Sequence, residues 1–355
     1  MATMKAAVYR AFGGPITVED LPKPVAEPGG VVVEVKATGV CRSDWHGWKG
    51  HDSDIHDHGL PFVPGHELSG VIAEVGDGVT RFAVGDRVAI PFILSCGACV
   101  QCSRARPTVC EKQQQPGFTM FGSFAQFVAL PRADRNLSPL PDAVSFVAAA
   151  ALGCRTTTAY RAVLQQGRLA AGETCVVFGA GGVGLSCVMI GVAHGAKVIA
   201  VDVSEGARSK ALALGAVATV DGSLPLLEVR QQVQELCGGS GADLSVDAAG
   251  FQATCENAVY CTGRGGRMVQ IGLPLGDSNA PQIPMARVAG WELELIGSHG
   301  CDARDFPAIL EMVATGKLDP SALVEKEVNL AQGCQALHDM DHGSPLGMTV
   351  VTSFA

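Results

Sequence analysis

Hydrophobic positions follow two different rhythms along the chain. Up to about Leu140, short apolar runs such as Val31 to Ala37 and Val71 to Val75 are broken by glycine, proline and other turn residues, the pattern of a mainly β segment. From Thr174 the rhythm becomes buried strand, helix, buried strand: Thr174 to Phe178, Val183 to His194, Lys197 to Val201, then a helical stretch from Ser204 to Leu214. Such alternation marks a parallel sheet with crossover helices. Strand-like runs at Leu244 to Asp247, Arg267 to Ile271 and Leu293 to Ile296, with helices over Leu226 to Cys237 and Cys255 to Cys261, extend it into a doubly wound domain. Beyond Asp305 come an amphipathic helix, Phe306 to Ala314, and a strand-like Met348 to Val351, which we expect to rejoin the first domain. No repeat, heptad or low-complexity linker interrupts the chain, so short crossings should join two domains with a cleft between them.

Composition narrows the partners. With 355 residues, 47% hydrophobic and 17% charged, the chain can bury two ordinary cores. Its net charge of -9 opposes attraction to nucleic acid or an anionic membrane, which leaves a small molecule as the expected partner. The uncharged run Cys175 to Ala193 approaches the ~20 residues of a membrane span, but its glycines belong to a strand-to-helix turn. The stretch Met1 to Tyr9 has no apolar secretory region, so a cytoplasmic location is expected. In such a setting the 13 cysteines point to metal ligation rather than a disulfide scaffold.

Gly179-Ala180-Gly181-Gly182-Val183-Gly184 contains G-x-G-x-x-G after a strand and at the mouth of a helix. A pyrophosphate can approach a backbone free of Cβ atoms there, facing free N–H groups and the positive end of the helix. Asp202 ends the next strand, about 20 residues on, where a carboxylate can accept from ribose hydroxyls, which favours NAD over NADP. The plain alternative is that the glycines serve tight packing and Asp202 caps the helix near Ser204. Arg208 could pair with a 2′-phosphate, which Asp202 would still repel.

Cys96, Cys99, Cys102 and Cys110 are spaced C-x2-C-x2-C-x7-C. Four thiolates close a tetrahedron around Zn²⁺ and leave no place for water, so this metal folds a loop. An iron–sulfur cluster is the chemical alternative, without an electron-transfer context. Three further segments bear metal-capable groups: Gly39-Val40-Cys41-Arg42-Ser43-Asp44-Trp45-His46, Pro64-Gly65-His66-Glu67, and Leu152-Gly153-Cys154 followed by Arg155 and Thr156 to Thr158. Spacing alone does not unite them. His51 to His58 is also rich in metal-capable side chains and reads as a solvated loop.

These segments, together with the cysteine lobe and the glycine motif, resemble the zinc-containing alcohol dehydrogenases of the medium-chain dehydrogenase family, over essentially the whole chain. The resemblance implies an α/β fold with a GroES-like, mainly β catalytic domain (1–152 and 291–355) and a Rossmann doubly wound nucleotide-binding domain (153–290). It implies two zincs per subunit: a catalytic one on Cys41, His66 and Cys154 and a structural one on the cysteine lobe. Glu67 would stand behind the catalytic zinc or join it transiently, and Asp44 would orient the ligating histidine. Ser43 and His46 would carry the alcohol proton outward, although Ser43 could equally cap a helix and His46 sit on the surface. For the cofactor, Arg42 resembles a pyrophosphate arginine and Thr158 a residue packing on the nicotinamide, with Ile271, Gly272 and Leu273 near its ribose. The match is incomplete at Gly347, where vertebrate members have an arginine, and at Ala207, where a basic residue is expected.

The implied reaction is reversible hydride transfer between NAD and an apolar primary or secondary alcohol, aromatic or allylic ones included. Trp45, Trp48 and Phe92 would line the pocket or else belong to the core, the two readings being about even. Polyol-specific relatives often have a glutamate at the position of Cys154, which favours a simple alcohol. Alternatives are a polyol or glutathione-adduct dehydrogenase on the same scaffold, or a nucleotide-binding zinc protein without turnover. A homo-oligomer is expected, a tetramer over a dimer.

Overall fold

The computed structural model describes residues 2–274, 279–343 and 345–355. It divides into two compact units, Met1–Thr157 with Gly300–Ala355, and Thr158–His299. Among the described residues, the first unit has a seven-stranded sheet whose path runs Val324–Asn329, Met348–Ser353, Val31–Val40, Glu67–Val75, Arg87–Ala89 and Ser138–Pro139, with Phe127–Leu130 also pairing Val31–Val40. The C-terminal chain returns to this unit by the antiparallel pairing of Met348–Ser353 with Val31–Val40. Alternate side chains of these strands bury Val31, Val33, Val35 and Leu68 in a core shared with Phe62 and Phe124.

Two short helices follow the long strand Val31–Val40: α1 (Arg42–Trp48) and α2 (Ser53–His58). The second lies where polarity alone suggested a solvated loop. Asp52 caps it by accepting from the Asp54 N–H at 2.9 Å, and its single buried side chain, Ile55, anchors it in the core. One apolar residue among seven polar neighbours gives no visible period, which is why the helix was hidden.

The second unit is a six-stranded parallel sheet ordered Ala218–Asp221, Lys197–Asp202, Thr174–Phe178, Ala242–Asp247, Thr262–Gln270, Glu294–Gly297. In the unit's own numbering this is 3-2-1-4-5-6, the dinucleotide-binding order, with its switch point beside Thr174–Phe178. Because Glu294–Gly297 pairs in parallel with Thr262–Gln270, residues 291–299 belong to this unit rather than to the first. Residues 153–157, conversely, fall in the first. No helix among the described residues is long and apolar enough to cross a membrane.

Trp48 is 1% exposed and belongs to the first core, its indole N–H donating to the Gly14 carbonyl at 2.8 Å and its ring edge-on to His338. Trp48→Ala should therefore destabilise the first unit by about 3–5 kcal/mol, the range for emptying a buried aromatic site. Denaturant unfolding checks this: the midpoint should fall markedly, and a shift worth under about 1 kcal/mol would remove Trp48 from the core.

Candidate functional site

Strand register brings the first two candidate ligands together. Val31–Val40 pairs antiparallel with Glu67–Val75, Gly39 opposite Glu67, so Cys41, just past the end of one strand, meets His66, just before the start of the other. Cys154 arrives from a widened helical turn, Leu152–Thr156. The ligand atoms of Cys41, His66 and Cys154 all lie within 4.8 Å of one another.

Asp44, in the first turn of α1, is buried and holds the group in place. One of its oxygens accepts from the Cys41 N–H at 3.0 Å; the other accepts from Gly65 N–H at 3.0 Å and from Nδ1 of His66 at 2.7 Å. A proton on Nδ1 leaves the Nε2 lone pair free, and Nε2 is buried with no hydrogen-bond partner. Such an orphan calls for a ligand, and two sulfurs with one imidazole nitrogen are the donor set of a catalytic zinc with a position left open. The electrostatics agree. Cys154, then His66 and Arg155, hold the Cys41 thiol well below its usual range despite burial. Burial works against charge on His66, but Asp44 and Cys41 outweigh it and raise its pKa. Negative charge is thus favoured on Cys41 and positive charge on its His66 neighbour, while Cys41 and burial hold the Cys154 thiol well above its usual range.

Glu67 is buried behind them. Its Oε1 accepts from the Cys154 N–H at 3.0 Å and Arg155 Nε at 3.1 Å, and its Oε2 accepts from Arg155 Nη2 at 2.9 Å, which also donates to the Val40 carbonyl at 3.1 Å. Burial raises the Glu67 carboxyl even against the pull of Arg155. In this structure both Glu67 oxygens are thus engaged by the Cys154 segment. Sequence reasoning passed over Arg155; the sign was a lone cation directly after the apolar run Phe146 to Cys154, which could be buried only with a partner. Gly153 permits the approach, since a Cβ there would come within 2.6 Å of the Glu67 side chain.

Cys96, Cys99, Cys102 and Cys110 form the second group, again with all four sulfurs within 4.8 Å. Backbone N–H groups point at the sulfurs: Cys99 N donates to Cys96 Sγ at 3.3 Å and Cys96 N to Cys110 Sγ at 3.3 Å. The Cys102 N–H leads the effects that bring the Cys99 thiol down to about 6, whereas burial lifts Cys110 to about 11. This arrangement fits four thiolates around one ion. Among the described residues these two groups are the ones that could hold a metal, and His51 to His58 adds no third.

The remaining candidates of the first unit are spread around α1. Ser43 is half-buried in its first turn. His46 is half-buried, with Nδ1 3.0 Å from Nδ1 of His51. Arg42 stacks on Trp45 at 3.6 Å and donates to the Met340 carbonyl at 2.5 Å, while Trp45 donates to Asp341. Of the three rings considered for a substrate wall, Phe92 and Trp48 are both buried, but Phe92 stands beside His66, with centroids 6.0 Å apart, whereas Trp48 packs in the first core.

In the second unit the glycines divide their tasks. Gly179 has φ +89°, a left-handed conformation that favours glycine. A Cβ on Gly184 would overlap the Gly179 carbonyl, while one on Gly181 would meet nothing within 4 Å. Tight turn, open approach and close packing are the three demands of a pyrophosphate loop, and the helix Gly182–Ala193 starts there. Val183 lies in its first turn. Asp202 accepts from Ala180 N–H at 2.6 Å and Ser204 N–H at 2.8 Å, so it braces the loop as well as ending its strand. Arg208 donates to the carbonyls of Asp202 and Val203 and to Asp221, and is thereby already occupied. Ile271 and Gly272 both donate to the Asp247 carbonyl, Leu273 is exposed and Thr158 is buried. Asp247, which sequence reasoning did not single out, accepts from Ala249 and Gly250 N–H and from Gln270.

The Arg155 contacts generate a prediction. Arg155→Ala leaves Glu67 as a buried, unpaired carboxylate, so stability should fall by about 3–5 kcal/mol. Glu67→Gln with Arg155→Met should recover most of it, and thermal melts of the single and double variants separate these outcomes.

Comparison with known proteins agrees with this geometry. Residues 27–142 match the family model described as the alcohol dehydrogenase GroES-like domain, and residues 182–315 that of the zinc-binding dehydrogenases. An alcohol dehydrogenase of Geobacillus stearothermophilus is 36% identical over 92% of this chain and 94% of its own. D-xylulose reductase A of Aspergillus oryzae is 32% identical over 92% and 91%. A solved structure titled NAD-dependent alcohol dehydrogenase superposes with a TM-score of 0.88 at 34% identity, covering 98% of this chain and 99% of that one. The paired family models, this level of identity and the two cysteine groups show that the chain belongs to the zinc-dependent medium-chain alcohol dehydrogenase family.

Proposed function

We propose that the protein oxidises apolar primary or secondary alcohols, aromatic and allylic ones included, with NAD as hydride acceptor, and reduces the corresponding aldehydes and ketones. The observation carrying this is the buried set Cys41, His66 and Cys154, with Asp44 fixing Nδ1 and leaving Nε2 without a partner. These three residues would hold the catalytic zinc and the cysteine lobe a structural one. When bound, the catalytic ion supplies Lewis acidity that polarises a substrate oxygen, and NAD supplies the carbon that takes the hydride.

The chain's own residues then bind and move the proton. Phe92, beside His66, offers an apolar surface to the carbon skeleton. Ser43, two residues on from Cys41, accepts the alcohol proton as it leaves, and His46 receives it further out. The Gly179 to Gly184 loop would take the pyrophosphate against the N-terminus of its helix. Asp202, with two hydrogen bonds accepted and lone pairs to spare, would accept from the adenosine ribose hydroxyls, and its charge would turn away a 2′-phosphate. Occupied by backbone carbonyls and Asp221, Arg208 would offer that phosphate little. Glu294–Gly297 is the outer strand of its sheet, an edge on which subunits of a homo-oligomer, a tetramer over a dimer, would pair. A polyol substrate is the second reading, favoured by the D-xylulose reductase relative.

Zinc-loaded protein should reduce NAD with short aliphatic, benzylic and allylic alcohols and much less with polyols or with NADP, read as reduced-nicotinamide absorbance. Faster turnover of polyols would move the assignment to the second reading. Asp202→Ser should weaken NAD about tenfold, equivalent to ~1.4 kcal/mol, and narrow the preference over NADP. Unchanged discrimination would remove Asp202 from cofactor choice. Cys99→Ser should release the lobe's zinc while the other is retained, as metal analysis of the purified variant will show, with a lowered melting temperature.

A further inference from the structure

The turn after α1 is shaped so that a second histidine reaches back to the first. His51 N–H donates to the His46 carbonyl at 2.9 Å, and the two rings meet through their Nδ1 atoms at 3.0 Å with centroids 5.3 Å apart. Trp45 stands edge-on to both, at 4.9 and 5.6 Å. Gly50 makes the turn with φ +76°, and a Cβ there would press into the Phe12 ring at 2.9 Å. From α2, the His56 ring nitrogen Nε2 lies 3.0 Å from the Gly50 carbonyl. His46 is half-buried and His51 is exposed, so the pair runs from the interior to solvent.

We propose that His51 is the outer station of the proton path, taking a proton from Nδ1 of His46 and releasing it to water. This inference rests on the alcohol dehydrogenase reading and on the role given there to His46. The balance is simple. A proton arriving at Nε2 of His46 is matched by loss of its Nδ1 proton to Nδ1 of His51, and His51 then gives its Nε2 proton to water. No bond other than N–H forms or breaks in the pair, and no co-reactant beyond water is needed. In the reverse direction the same steps deliver a proton inward.

Charge around the pair favours passage over storage. Burial, then the Arg42 guanidinium, then His51 itself bring the His46 pKa down to about 4, with Cys41 opposing. A ring that resists becoming imidazolium is a poor terminal acceptor and must hand the proton on as it receives one. The other titratable and charged groups on the elements packed here are Asp44 in α1 and Lys49 beyond its end, Asp52 at the N-cap of α2 with Asp54, His56, Asp57 and His58 along it, and Asp341, which binds Trp45 and Lys49, beside His342.

His51→Gln tests the proposal, because a glutamine can still accept a hydrogen bond from His46 but cannot relay a proton. Holoenzyme is mixed rapidly with NAD and benzyl alcohol in weak buffer containing a pH-indicator dye, and proton release is followed together with NADH formation. In the variant both should slow about tenfold near neutrality, less than the roughly 10²–10⁴-fold of a group that transfers the proton at the reacting atom because water can still take the proton from His46 slowly, and recover when imidazole is added. The loss should shrink at high pH, where hydroxide takes the proton directly, and NAD binding by fluorescence titration should be unchanged. His56→Gln, which alters a neighbouring exposed histidine, should leave proton release at the wild-type rate. Wild-type proton release in His51→Gln, or a loss that imidazole does not restore, overturns the proposal. A wild-type protein that reduces no NAD with any alcohol overturns the underlying dehydrogenase reading instead.

Discussion

A buried carboxylate with a buried guanidinium, Glu67 against Arg155, is the interaction on which the first unit's site depends. Cys154 is far along the chain from Cys41 and His66, and nothing in its own helical turn directs it to them. The Glu67 oxygens accept from the Cys154 N–H and from Arg155, and Glu67 itself heads the strand that follows His66. One ion pair therefore ties the third sulfur to the first two donors. Taking these charges out of water is costly, and an incomplete pair would cost more than none. Gly153, which has no Cβ to obstruct Glu67, and the Val40 carbonyl, which takes a further Arg155 hydrogen, complete it.

Asp44 performs the corresponding service at the other side. By accepting from Cys41, Gly65 and His66 at once, it ties the start of α1 to the strand that carries His66 and selects the histidine tautomer. A neutral amide in its place could accept on one atom only and would lose this three-way bracing. The cysteine lobe solves the same problem without carboxylates: its sulfurs are held by backbone N–H groups of their own loop. Local chain geometry suffices there because the four cysteines are close in sequence, whereas the other group must be assembled over long separations.

The second unit shows one residue answering both of the readings weighed for it. Asp202 braces the Ala180 N–H and the start of the following helix, the plain structural role, and its remaining lone pairs stay available for a ribose. Bracing and binding are compatible because a carboxylate offers about four acceptor sites. Asp247 plays a comparable part on the neighbouring strand, shaping the turn through Ala249 and Gly250.

The sequence by itself determined five of the six strands of the parallel sheet, the glycine loop and the cysteine lobe, since each depends on residues near one another in the chain. The short edge strand Ala218–Asp221, with Val220 alone fully buried, carried too little apolar pattern to be read, and the strand order came from the pairing. Strand and helix periods, a tight turn and a C-x2-C spacing are local properties, and they survive without knowledge of long-range contacts. It also identified Cys41, His66 and Cys154 through family resemblance, although no spacing joined them. Only the tertiary structure decided their convergence, the engagement of Glu67 by Arg155, the occupation of Arg208 by backbone carbonyls, and the burial of Trp48 away from any substrate wall. The same holds for α2, whose lone Ile55 anchor is invisible to periodicity, and for His51, whose meeting with His46 depends on the turn at Gly50. These are matters of which buried charge finds which partner and where a side chain points, and a linear pattern carries neither.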